Sequence, residues 1–85
     1  MISVGANISH HTNINDGCFF SFGTNVGASI NIKELAYLGI GATLVTGMSI
    51  LGRNTLIGAG AVVLKDVPDN AVMVGVPAKL LRYQE

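Results

Sequence analysis

The sequence predicts an all-β chain wound as a parallel β-helix of hexapeptide repeats. Large apolar residues recur at every sixth position: Ile2, Ile8, Ile14, Phe20, Val26, Ile32, Leu38 and Leu44. Small residues cluster four positions after them, at Ala6, Thr12, Cys18, Ala36 and Ala42, with the larger Ile30 as an exception. Glycine often follows the aliphatic, as in Val26-Gly27 and Leu38-Gly39.

A period of six is neither the 3.6-residue period of a helix nor the alternation of a hairpin. Fixed self-similarity of this kind marks a solenoid. Each hexapeptide then supplies one short strand and one turn, and three make a triangular coil of about 18 residues. The large residue points inward, and equivalent positions stack at roughly the 4.8 Å strand spacing. The small residue fits where the wall turns. Asn7, Asn13, Asn25, Asn31 and Asn54 recur where corners are expected, and asparagine suits turns.

Further along, the phase slips by one. Leu51-Gly52, Ile57-Gly58 and Val63 carry the pattern there, although the old phase also runs on through Ile50, Leu56 and Val62. The extra residue is placed in the turn Thr46–Ser49, where Gly47 accepts an unusual backbone angle. About eleven hexapeptides give fewer than four coils.

Asp66-Val67-Pro68-Asp69-Asn70 then breaks the repeat, Ala71–Val76 reads as a last strand, and Pro77–Arg82 reads as a short terminal helix or cap. Residues 1–67 are thus the repeat region, and 68–85 the terminal strand and short helical cap of the same domain.

An 85-residue chain forms one small domain whose core is marginal by itself. A single cysteine allows no internal disulfide, and no closely spaced set of Cys and His suggests a metal site. Self-association is the remaining remedy. A formal net charge of zero excludes long-range attraction to nucleic acid. Leu35–Gly52 lacks charge and has the length of a membrane span, but it is rich in Gly, Thr and Ser, and the repeat runs through it. Met1-Ile2-Ser3 carries no secretory pattern, and the lone Cys18 is compatible with a reducing compartment, so no membrane association and a cytoplasmic location are expected.

Four segments carry a family resemblance: Leu38-Gly39-Ile40-Gly41-Ala42, Ile57 to Val63, Lys65-Asp66-Val67-Pro68, and Val74-Gly75-Val76-Pro77-Ala78-Lys79. Together they resemble the C-terminal part of the hexapeptide-repeat acyltransferases. The run Ser9-His10-His11-Thr12-Asn13-Ile14-Asn15-Asp16 is similar to that of the sialic-acid O-acetyltransferase and UDP-4-amino-sugar N-acetyltransferase group. The resemblance implies a left-handed helix, against the right-handed rule for parallel crossovers. It also implies acetyl-CoA as cosubstrate, a sugar or sugar-nucleotide amine or hydroxyl as acceptor, and a homotrimer. In such a trimer the coenzyme lies between neighbouring β-helices.

A thioester is already activated, so the enzyme must deprotonate the acceptor, align it and stabilise the oxyanion. Histidine is the natural base, and the chain has two, His10 and His11. In an extended segment they would point to opposite faces, so only one serves easily. Matching the family places the base at His10. His11 then falls where the family carries Glu or Asp, and a neutral imidazole supplies no full negative charge. Asp16 is a spatial substitute to be tested. Phe19 stands where some relatives have a second His near the thioester. Ile40, Gly41, Gly58 and Ala59 match positions along the coenzyme groove, though corner glycines are needed in any β-helix. Lys79 and Arg82 are candidates for the coenzyme phosphates. Cys18 reads as a packed core thiol and not a nucleophile.

Two rival chemistries fail. A hexapeptide carbonic anhydrase needs three separated His ligands for zinc, and the two adjacent histidines cannot supply them. Gly39-Ile40-Gly41 and Gly58-Ala59-Gly60 lack the third glycine and the strand-to-helix setting of a nucleotide loop. The standing alternative is a truncated, non-catalytic β-helix that serves trimer assembly or binds CoA without turnover.

Overall fold

The computed structural model describes residues 5–84. Ile2, first of the repeat series, lies outside them. The first coil contains β1 (Asn7–Ile8), β2 (Asn13–Ile14) and β3 (Phe19–Phe20). The second contains β4 (Asn25–Val26), β5 (Asn31–Ile32) and β6 (Tyr37–Leu38), and the third β7 (Thr43–Leu44), β8 (Ile50–Leu51) and β9 (Leu56–Ile57). The fourth contains β10 (Val62–Val63), a bridge from Val67 to Leu51, and β11 (Ala71–Val74). These elements form a left-handed β-helix of about four turns.

Equivalent strands stack in parallel into three sheets, ordered β1-β4-β7-β10, β2-β5-β8 and β3-β6-β9-β11, with β12 (Lys79–Tyr83) added beyond β11. One large residue per hexapeptide fills the bore. Phe20, Ile32, Leu38, Leu51 and Ile57 are fully buried. Burying each such side chain contributes about 1.5–3 kcal/mol. Cys18, Ala36, Ala42 and Ala61 line the same interior, and Ile30 takes a small-residue position yet is equally buried. Leu35–Gly52 winds through β6, β7 and β8; no described helix is long and apolar enough to cross a membrane.

The phase slip is visible in the register. Ile8 pairs with Val26 and Val26 with Leu44, but Leu44 pairs with Val63, a step one residue longer. Ile32 to Leu51 and Leu38 to Ile57 share the longer step. The extra residue sits in the Thr46–Ser49 turn, where Gly47 has φ 118° and Met48 is buried.

Two expectations are corrected. Asn7, Asn13, Asn25 and Asn31 are strand residues, not corners; of the five, Asn54 alone occupies a left-handed corner position, with φ 55°. The outward amides bond between coils, as in Asn7 Nδ2 to Asn25 Oδ1 at 3.2 Å, and this partner across the coil outweighs the local turn preference. The segment after Pro77 is also no helix: Lys79–Tyr83 forms β12, antiparallel to β11. A helix of so few residues is marginal. The free edge of β11 offers backbone partners from Ala71 to Val74 instead.

Candidate active site

Chain reversals fall in three columns of corners. The first, between β1 and β2 and their equivalents, stacks His10–His11, Ala28–Ser29, Thr46–Ser49 and Leu64–Asp66. The second stacks Asp16–Gly17, Glu34–Leu35, Arg53–Asn54 and Asp69–Asn70. The third stacks Phe22–Gly23, Ile40–Gly41 and Ala59–Gly60. All of these reversals except Leu64–Asp66 place a residue in the left-handed region, and glycine supplies it at Gly17, Gly23, Gly41 and Gly60.

His11 fills that role in the first column, with φ 60°. The segment is therefore bent and not extended, and the expectation that the two imidazoles face apart fails. Their rings meet edge to face, with centroids 4.9 Å apart and planes at 78°. Both side chains are exposed. Asp16 stands at the next corner, across β2.

The structure gathers Ile40, Gly41, Gly58 and Ala59 at the third column. Gly41 N–H donates to the Phe22 carbonyl at 2.9 Å and Gly60 N–H to the Ile40 carbonyl at 2.8 Å. Space around Gly41 and Gly60 is open, so the ridge is bare backbone flanked by the exposed Ile40. A Cβ at Gly39 would lie 2.8 Å from Ala59 N, so this glycine is needed for the coils to stack.

Phe19 belongs to neither column. It lies half-buried on the outer face of β3, stacked on Tyr37 with ring centroids 5.0 Å apart. Lys79 lies at the far end of the first column. There it lines a cavity of about 540 Å³ with Leu64, Lys65, Asp66, Met73 and Pro77. Arg82 is exposed on β12. One chain thus separates the imidazoles from the glycine ridge by the width of a sheet.

Asp66, which the sequence places in the break after the repeat, has partners that no motif announces. Its carboxylate accepts the N–H groups of Ser49 at 2.6 Å and Ile50 at 3.1 Å. These two bonds, Ser49 first, hold its pKa below the usual 3.8. No local signal marks this pairing, because the partners come from successive coils. Lys65, on the cavity wall beside Lys79, was legible only as part of the Lys65–Pro68 motif. Cys18 is buried, with Sγ 3.2 Å from the Lys33 carbonyl oxygen, as a packed thiol should be. Among the described residues, no group of three His, Cys, Asp or Glu side chains gathers to hold a metal ion.

Comparisons with known proteins bear on this arrangement. No family model matches the chain. It is 45% identical over 63 residues to a putative acetyltransferase of Schizosaccharomyces pombe, covering 74% of this chain and 30% of that protein. It is 33% identical over 81 residues to the galactoside O-acetyltransferase of Escherichia coli, covering 95% of this chain and 36% of that enzyme. The crystal structure of Neisseria gonorrhoeae serine acetyltransferase superposes with a TM-score of 0.88 at 27% identity, covering 95% of this chain and 34% of that one. The chain spans about a third of the length of these relatives.

Proposed function

The chain belongs to the hexapeptide-repeat acetyltransferase family, and on that premise we propose that it is the β-helical part of an acetyl-CoA-dependent acetyltransferase acting on a sugar hydroxyl or amine. The observation that carries this reading is the exposed His10–His11 pair, in edge-to-face contact at a corner of a β-helix whose relatives are acetyltransferases.

In this reading His10 is the general base. It takes the proton from the acceptor O–H or N–H as that atom attacks the thioester carbonyl carbon. The C–S bond then breaks, the acetyl group stays on the acceptor, and the proton passes from His10 to the departing CoA thiolate. His11 orients its neighbour's ring through their edge contact. It supplies no fixed negative charge of the kind a carboxylate would. Transfer is direct, within a ternary complex, and Cys18 takes no part from its buried position.

The coenzyme runs along the ridge of Ile40, Gly41, Gly58 and Ala59, where the space around Gly41 is open to pantetheine and Gly58 lies under the Val74 side chain. Lys79 reaches its phosphates as a point charge. Because the ridge and the imidazoles occupy different corners, the working site needs two copies, the ridge of one facing the His10 corner of the next in a closed trimer. Phe19, on the outer face, borders the thioester end of that groove.

The test is thiol release from acetyl-CoA with a panel of galactosides, amino-sugar nucleotides, sialic acid and L-serine. Release that depends on a sugar supports the reading. Release with L-serine alone overturns the sugar acceptor, and CoA binding without turnover favours the non-catalytic β-helix.

A further inference from the structure

At most corner steps, coil is linked to coil by backbone alone. In the second column Leu35 N–H donates to the Asp16 carbonyl and Asn54 N–H to the Glu34 carbonyl; in the third, Gly41 and Gly60 do the same to Phe22 and Ile40. In the first column Ser29 N–H donates to the His10 carbonyl at 3.2 Å, joining the first two coils. The next step is different. There a side chain takes part, and the bond runs the other way: the Ala28 N–H of the earlier coil donates to the Thr46 hydroxyl of the later one at 3.1 Å.

The approach there is close. A Cβ on Gly27 would lie 2.4 Å from Thr46 N, so the turn presses directly on the corner beneath the histidines. That corner is also held from the other side, where the Thr12 hydroxyl donates to the Gly27 carbonyl at 2.7 Å. The far end of the Thr46–Ser49 turn is tied down by Asp66 through Ser49 and Ile50. A continuous set of contacts therefore leads from Asp66, through Thr46 and Ala28–Ser29, to the backbone of His10.

We propose that Thr46, with Asp66 anchoring its turn, is a positioning residue for the His10–His11 pair. It sets the height and tilt of the corner on which both imidazoles stand. The catalytic half of this inference rests on His10 as base. The structural half does not. A displacement of about 1 Å at a reacting group can cost on the order of a hundredfold in rate.

The test uses Thr46→Val, which keeps shape and loses the hydroxyl, and Thr46→Ser, which restores it. Two readouts are taken: the imidazole NMR signals of both histidines, and steady-state kinetics with acetyl-CoA. In Thr46→Val the imidazole signals should move and kcat should fall about tenfold, with KM for acetyl-CoA little changed. Both should recover in Thr46→Ser. Asp66→Asn, a second and milder variant, should move the same signals in the same direction. Unmoved imidazole signals in a folded Thr46→Val would overturn the inference. So would an unchanged kcat in Thr46→Val when His10→Ala has lost turnover. Full turnover in His10→Ala would instead sink the assignment of the base, and the imidazole signals alone would then decide the role of Thr46.

Discussion

The first two coils and the last two share one interior and differ outside. In the first two, the outward strand residues are Asn7, Asn13, Phe19, Asn25, Asn31 and Tyr37. Asn7 bonds Asn25 on one face, Asn15 reaches Asn31 on the second, and Phe19 stacks on Tyr37 on the third. In the last two, the outward residues are Thr43, Ile50, Leu56 and Val62, and the exposed Leu64, Val74, Val76, Leu80 and Leu81 lie nearby. The first half stacks in regular register. The second follows an inserted residue and ends in the β11–β12 hairpin. The inner wall is set by packing, which every coil needs alike. The outer wall is under no such packing demand, and that is where the two halves differ.

The halves also differ in how well their cores are closed. Leu51 is fully buried in the third coil, whereas Ile14 in the first is only half-buried. Leu51→Ala should destabilise the fold by about 2–5 kcal/mol, and Ile14→Ala by distinctly less, in chemical denaturation. Equal losses would mean that the first coil is as closed as the third.

A smaller effect separates the halves by pH. The Asp66 carboxylate that anchors the inserted turn has its pKa lowered on folding. It stabilises the folded state above the unfolded value of 3.8, and that contribution fades as pH falls through the lower folded value. Acid unfolding of Asp66→Asn should lack this component. An identical acid profile for the variant would remove Asp66 as the anchor.

The smallest expected change is a gain. The Thr24 hydroxyl, beside the third corner column, is buried and has no hydrogen-bond partner. Thr24→Val should raise stability by about 1 kcal/mol, read as a higher denaturation midpoint, because a polar group no longer needs to be desolvated.

The inner wall was legible because its period is strict. Phe20, Ile32, Leu38 and Leu44 could be assigned inward from spacing alone. After Thr46 two apolar phases compete, since outward Ile50, Leu56 and Val62 are as apolar as inward Leu51, Ile57 and Val63. Gly47 resolved that choice correctly. The asparagines were misread because local turn preference was weighed without the partner one coil away. The terminal strand was misread for the same reason: Pro77-Ala78-Lys79 is helix-like locally, and the β11 edge is distant in sequence.

The site was half legible. Histidine chemistry picked out His10 and His11, but their geometry was missed. The missed signal was available, because His11 falls six residues after Gly5 and six before Gly17, in the series that occupies the left-handed corner position. The contacts of Thr46 and Asp66 had no such signal, since they join residues whose only relation is stacking.

Acetyl transfer at the exposed imidazole corner, as proposed above, shows itself in the thiol it releases. The most direct measurement is acceptor-dependent thiol release by wild type, His10→Ala and His11→Ala, at saturating acetyl-CoA. Loss of a general base predicts a fall in kcat of about 10²–10⁴-fold for His10→Ala and a smaller fall for His11→Ala. Turnover undiminished in His10→Ala would mean that His10 is not the base.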